Sequence, residues 1–426
     1  MLRGRTAPRL PARNMKKLKA RKYKHFDMPL SEPELALFSP SAADISRHSF
    51  HPLLAYKRRE RRIDFDQSPW FIDFKDREIR YACHRDAAIF SLCANEITPH
   101  YEKGLRKRGL QDNVTAYRAG IGSNVDFALD LFNQIRDRST CYVACFDVSK
   151  FFDNICHVKL KDRICELMGV ASLPPHLYRV FRQVTEARYV NREAVEPALG
   201  GAAGKARLCS PTQFRSKIAP LISAAAKKGV AQGTSLSGLF ANIYMIDFDA
   251  KIAEAVRLVG GVYRRYSDDI AVIAPDYISL CNLTRLINLE ISHLELEINS
   301  KKTTVSGFYK TSSGLSRSFS DLQYLGFTFD GDRILIRSSS LRKFYSKMRM
   351  NVRRYVRLAA KNGIPKSELH MRGLVRRFTH WGDDRNFVQY AYRAARKMAA
   401  PGIKRQLRNH VPLFQAHYER CVTEYY

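Results

Sequence analysis

Two adjacent carboxylates stand in Tyr266-Ser267-Asp268-Asp269, between the apolar runs Gly261-Val262-Tyr263 and Ile270-Ala271-Val272-Ile273-Ala274. β-branched residues on both sides of a short polar centre predict a hairpin with the acids at its tip. An Asp-Asp turn alone says little, because Asp is a common turn residue. A second acid upstream changes its meaning: Cys141-Tyr142-Val143-Ala144-Cys145-Phe146-Asp147 is an apolar strand ending in a carboxylate. If the two elements are neighbours in one sheet, Asp147 and Asp268 face each other across the strand ends, with Asp269 beside them. Three hard oxygen ligands suit Mg2+, which prefers carboxylates plus substrate phosphates to a full protein cage. Two such ions, with Mn2+ as a substitute, can clamp the attacking and leaving oxygens of an in-line phosphoryl transfer. The spacing therefore points to nucleotidyl transfer.

The elements that must position these acids follow from the flanking sequence. Between about Pro52 and Arg138, extended stretches such as Trp70-Phe71-Ile72-Asp73-Phe74 mix with a helical pattern over Ala87 to Leu105. A turn at Tyr117-Arg118-Ala119-Gly120-Ile121-Gly122 precedes a helix carrying Ala128, Leu129, Leu131 and Phe132, and its glycine spacing fits no nucleotide fingerprint. Leu199 to Lys228, rich in Gly, Ala, Ser and Lys, reads as an insertion and a candidate mobile loop. A helix is expected around Leu280 to Leu296. Farther on, Leu341, Phe344, Tyr345, Met348, Val352, Tyr355, Val356 and Ala359 recur at helical spacing, and Gly363-Ile364-Pro365 is a stop signal. Two more helices are expected near Ser367 to Trp381 and Arg385 to Ala400, the latter ended by Pro401-Gly402. The periodicity assigns Tyr345, Tyr355, Phe378, Trp381 and Tyr390 to core packing ahead of base stacking.

Charge identifies the class of partner. The 426 residues carry 72 Lys and Arg against 41 acids, a formal charge of +31, which argues for a polyanion. The excess is uneven: residues 1 to 25 hold ten basic side chains and no acid, and residues 333 to 426 hold 22 basic against five acidic. Met1 to Lys24 lacks the apolar core of a signal peptide and reads as a flexible basic arm. No apolar run reaches the roughly 18 residues of a membrane span, so no membrane partner is expected and a cytoplasmic protein is. The nine cysteines include no Cys-x-x-Cys pair, which favours reduced thiols over a zinc site.

In order along the chain, these residues resemble the reverse transcriptases, from about Arg77 to Leu325. Phe146-Asp147 with Phe151-Phe152-Asp153-Asn154-Ile155 and His157-Val158-Lys159-Leu160 is similar to the first palm motif of the bacterial branch. Gln232-Gly233-Thr234-Ser235-Leu236-Ser237-Gly238-Leu239-Phe240-Ala241-Asn242-Ile243-Tyr244 resembles the Gln-Gly motif that opens a palm helix, and Tyr266 to Asp269 the metal-binding motif. Asn299-Ser300-Lys301-Lys302-Thr303 resembles the Lys-Thr motif, and Tyr324-Leu325-Gly326-Phe327 the primer-grip hairpin. The resemblance implies an α+β right-hand polymerase: fingers, a palm whose antiparallel sheet carries the carboxylates, and a helical thumb. Its implied boundaries are a basic arm at 1–27, fingers at 28–139, palm at 140–160, fingers with a probable insertion at 161–229, palm at 230–335 and a basic thumb at 336–426.

The resemblance also implies roles. Asp147, Asp268 and Asp269, with Val148 next in the chain, would hold two Mg2+ ions. Phe152 would lie under the incoming sugar, where an apolar wall leaves a ribose 2′-hydroxyl without a partner and so favours deoxynucleotides; the alternative is plain core. Gln232 would approach the nascent base pair, helped by the small Gly233. Lys302 would meet the pyrophosphate leaving group, and Arg77 or Arg80, with Arg77 preferred, would grip the triphosphate. Leu325 and Gly326 would form the primer grip, and Asp153 reads as a turn residue. The implied partners are an RNA template, a DNA product and deoxynucleoside triphosphates, with the oligomeric state open. Without a retron-type Val-Thr-Gly triplet, the chain is most similar to the bacterial defence-associated reverse transcriptases, and among them to type 2, which copies a partner noncoding RNA. Template-independent or self-primed synthesis, a retron-type enzyme and a nonenzymatic RNA-binding module are the alternatives.

Overall fold

The computed structural model describes residues 18–64, 71–201, 206–312, 316–382 and 385–426. Residues 1–17 of the basic arm, Trp70 and residues 202–205 of the spacer lie outside them. In chain order the strands are β1 Leu53–Asp64, β2 Phe71–Tyr81, β3 Thr140–Asp147, β4 Tyr189–Asn191, β5 Val262–Tyr266, β6 Asp269–Ala274, β7 Thr304–Lys310, β8 Ser316–Ser318, β9 Leu322–Tyr324, β10 Phe327–Phe329 and β11 Ile334–Ile336. The chain divides into two compact units, one of residues 1–117, 148–251 and 289–297, the other of residues 118–147, 252–288 and 298–426.

The second unit is built on a five-stranded antiparallel sheet of order β5-β6-β3-β7-β8. Strands β3 and β6 are central and apolar along nearly their whole length, as strands covered on both faces must be. Val143, Ala271, Ile273 and Phe308 join Val125, Ala128, Leu131, Phe132 and Ile135 of the helix Asn124–Arg136 in one core. The small sheet β9-β10-β11 belongs to that core, as do the C-terminal helices. The helix Ser338–Lys361 buries Phe344, Met348, Val352, Val356 and Ala359, the expected stripe, while Arg349, Arg353, Arg354 and Arg357 are exposed.

The helices after it differ from expectation. The first is only Arg372–Phe378, and the next is Phe387–Lys397, capped by Asn386, whose side chain accepts a hydrogen bond from the Gln389 N–H. Pro401 opens a further helix, Pro401–Gln406, instead of ending one, because proline suits a first turn whose N–H groups have no intrahelical acceptor. A last helix, His410–Tyr425, went unread in the sequence. Phe378 is buried and Tyr345, Tyr355 and Tyr390 pack on the core, but Trp381 is 61% exposed.

In the first unit, β1 pairs antiparallel with β2 and parallel with β4. The helix His84–Lys107 covers the expected Ala87–Leu105 pattern, and the helix Tyr277–His293 covers most of the expected Leu280–Leu296. The described part of the 199–228 spacer is no bare loop. Leu199, Leu208, Cys209 and Ile218 form a core with Phe26, Leu54, Val190 and Val195, and the Leu208 N–H donates to the His25 carbonyl at 2.8 Å. The end of the basic arm is likewise packed. His25 is fully buried; its Nδ1 accepts from the Phe26 N–H at 2.8 Å and its Nε2 faces the Tyr81 carbonyl at 3.2 Å. Asp27 accepts from the His84 and Arg85 N–H groups and from the His84 ring, closing the start of the long helix. His25, Asp27 and Cys83 place three ligand-type atoms within 4.8 Å of one another, yet these hydrogen bonds already engage the histidine and the carboxylate, and burial pushes the Cys83 thiol well up.

Candidate active site

The acids converge through strand register. Asp147 ends β3 and Asp269 begins β6, and the two are directly opposed partners in the antiparallel ladder. Tyr266 pairs with Asp269 across the β5–β6 hairpin, leaving Ser267 and Asp268 as a two-residue loop. The facing pair is therefore Asp147 and Asp269, with Asp268 in the turn, a correction to the expected pairing of Asp147 with Asp268. Ser267 adopts φ +61° and is buried. The Asn299 N–H donates to the Asp147 carbonyl at 2.8 Å and ties the strand end to the next motif.

The cluster is electrostatically strained. Burial pushes the Asp269 carboxyl up to about 7, the charges of Asp268 and Asp147 add to the rise, and Lys302 and Arg337 oppose it. The Lys302 ammonium donates to Asp147 Oδ2. A cavity of about 370 Å3 opens beside the acids, lined by Asp147, Tyr266, Asp269, Lys302, Thr304 and Tyr324 among others. The Tyr324 hydroxyl and Thr304 Oγ1 are buried there without a hydrogen-bond partner. Hard carboxylate oxygens on opposed strand ends, surplus negative charge and an ammonium already seated on one acid fit a divalent cation of the Mg2+ or Mn2+ class.

The hairpin at Tyr324–Phe327 is also in this unit. Leu325 at φ +45° and Gly326 at φ +93° turn β9 into β10, and the Asn124 side chain donates to the Leu325 carbonyl at 3.3 Å and to the Tyr390 hydroxyl at 2.8 Å. The Arg337 N–H donates to the Gly326 carbonyl at 3.0 Å and its Nε to Gln323 Oε1 at 2.6 Å. Asn124, Arg337 and Tyr324 Oη were not identified as site groups in the sequence. Asn124 and Arg337 come from outside the hairpin and no local spacing marks them, and the quoted Tyr324-Leu325-Gly326-Phe327 motif gives no sign that the tyrosine hydroxyl is buried.

The other named residues lie in the first unit. Phe151 is buried, whereas Phe152 is half-buried with its ring edge-on to Tyr117 at 6.3 Å. The two phenylalanines, equally buriable in sequence, thus differ in fact. Val148 is buried, and Asp153, expected as a turn residue, is exposed within the one-turn helix Phe151–Asn154, its N–H donating to the Lys150 carbonyl. Arg80 pairs with Glu78 at 2.6 Å and its guanidinium lies 4.2 Å over the Tyr189 ring, while Arg77 is exposed. The Arg80 N–H donates to the Gln232 carbonyl at 2.8 Å. Gly233, at φ +119°, explains the Gln-Gly pair in part: a Cβ there would stand 2.5 Å from the Arg80 carbonyl oxygen. The glycine is required by the chain's own strand, whatever else approaches it.

A family model described as reverse transcriptase (RNA-dependent DNA polymerase) matches residues 82–329, more than half of the chain. No curated protein matches the sequence. Among solved structures the chain is similar to telomerase from Candida albicans in complex with a TWJ fragment of telomeric RNA, at 13% identity and a TM-score of 0.42, covering 91% of this chain and 63% of that one. It is similar also to apo telomerase from Candida tropicalis, at 13% identity and a TM-score of 0.44, covering 90% and 64%. The chain thus spans less than two thirds of the length of either.

Proposed function

Because the chain belongs to the reverse transcriptase (RNA-dependent DNA polymerase) family, we propose that it copies a dedicated noncoding RNA into DNA in bacterial antiviral defence, using Asp147, Asp268 and Asp269 as the cation-binding acids. The observation that carries the site assignment is the direct opposition of Asp147 and Asp269 in the β3–β6 ladder with Asp268 in the adjoining turn. When bound, a pair of Mg2+ ions supplies activation of the primer 3′-hydroxyl and charge neutralisation on the triphosphate. The chain's own residues do the rest. Lys302, whose ammonium stands beside the acids, would meet developing phosphate charge. The Leu325-Gly326 turn, fixed by Asn124 and Arg337, holds the primer end. Phe152 excludes ribose, Gln232 contacts the nascent pair, and Arg77, exposed and preferred over the Glu78-bound Arg80, contacts the triphosphate.

The bacterial defence role and the partner RNA rest on the resemblance of the ordered motifs, and the basic surplus supports a nucleic-acid partner. Replacing Asp268 and Asp269 together by Ala should abolish DNA synthesis on a primed RNA while leaving RNA binding intact; synthesis by that variant would overturn the site. Sequencing the RNA and DNA that copurify with the protein tests the template. A cDNA of one noncoding RNA supports the reading, whereas untemplated product points to template-independent synthesis.

A further inference from the structure

We propose that Arg265 is a positioning residue for the acidic turn: its buried guanidinium holds Ser267 in the left-handed conformation from which Asp268 and Asp269 are presented to cations. Arg265 is 0% exposed and heads the largest fully buried side chains among the described residues. Arginine is almost never fully buried unless it is paired. Its Nη1 donates to the Ser267 carbonyl at 3.0 Å. The adjacent Arg264 projects from the other face of β5, as strand alternation requires, and its Nε donates to Asp130 at 2.8 Å. Of the two consecutive arginines, only Arg265 donates to the turn.

The turn needs such support. A two-residue hairpin loop normally begins with Asn, Asp or Gly, because its first residue takes positive φ. Here that position is Ser267, at φ +61° and with its side chain buried. For a residue with a Cβ, the left-handed well is disfavoured by a factor of about ten. A charge-assisted hydrogen bond to the Ser267 carbonyl offsets a penalty of that size. Loosening the turn would move Asp268 directly and Asp269 through its pairing with Tyr266.

The inference rests on the proposed role of the acids, and the test separates the two. Mn2+ binding to the full chain is followed by electron paramagnetic resonance for wild type, R265K, S267G, R265K/S267G and D268A/D269A, alongside thermal unfolding in EDTA. Wild type should bind Mn2+ and D268A/D269A should not. R265K should weaken binding by about tenfold, S267G alone should stay near wild type, and R265K/S267G should recover most of the loss, since glycine adopts positive φ without help. Thermal stability should remain lowered in both variants that carry R265K, so recovery of Mn2+ affinity without recovery of stability is the signature of positioning. Wild-type affinity in R265K, or no recovery in the double variant, overturns the proposal. If R265K does not fold, the double variant decides, and its failure to fold also overturns the proposal. Equal Mn2+ binding by wild type and D268A/D269A would instead remove the underlying site assignment.

Discussion

Replacing Asp269 by Asn should make the cation-free protein more stable and unable to gain from divalent ions. Its carboxyl is pushed up to about 7 by burial and by the charges of Asp268 and Asp147. Holding it near 7 against an ordinary 3.8 corresponds to about 4 kcal/mol for ionisation at high pH. Partial exposure of the site screens this, and roughly half, about 2 kcal/mol, is expected in a measurement. The folded state holds the proton more tightly than the unfolded state, so wild-type stability falls as pH rises from about 4 through 7 and then levels. Asn lacks that dependence, so the advantage of D269N should open over the same window. At pH 8 in EDTA, unfolding of the unit that carries the acids should occur about 4–8 °C higher in D269N than in wild type. Addition of Mn2+ should raise wild type and leave D269N nearly unchanged. Calorimetry at pH 5 and pH 8 checks both parts. A D269N no more stable than wild type at pH 8 in EDTA would refute the account of crowded charge.

Exchanging Phe152 for Ala should admit ribonucleotides, read from primer extension with each nucleotide class, and should cost less stability than the same change at buried Phe151, where about 3–5 kcal/mol is expected; unchanged sugar preference removes the gate. Gly233→Ala meets the Arg80 carbonyl at 2.5 Å and positive φ at once, so a loss of at least about 2 kcal/mol in urea unfolding is expected. Burial pushes the His25 imidazole down to about 3, and its Nδ1 is already an acceptor. Stability from the neutral ring is therefore complete above about 6.5 and lost as pH falls, by about 2 kcal/mol between pH 7 and pH 5; H25Q should flatten that slope, and equal slopes would contradict it.

The sequence revealed the acids because β-branched alternation around a short polar centre is a local pattern. It misassigned which acid faces Asp147, because strand register depends on a ladder between distant segments and a shift of one residue exchanges Asp268 for Asp269. Pro401 failed as a stop signal because the same residue suits a first helical turn equally well. The stripe Phe344, Met348, Val352, Val356 and Ala359 succeeded because period and burial coincide. Asn124 could not be found in this way, since it gains its place from the Leu325 carbonyl, some 200 residues on, and neither the Arg337 contacts to the hairpin nor the burial of the Tyr324 hydroxyl shows in a local pattern. The packed spacer is the converse case. Its Gly- and Ser-rich composition predicts mobility, but in its described part Leu208, Cys209 and Ile218 share a core with Phe26.

The ammonium of Lys302 resting on Asp147 means that the acidic cluster carries its own counter-ion. Lys302 occupies one of the two Asp147 carboxylate oxygens, so on the proposed role of the acids a divalent ion there would compete with an ammonium already in place. The local gain in charge is then nearer one than two, and ionic strength should affect loading less steeply than three unneutralised carboxylates would require.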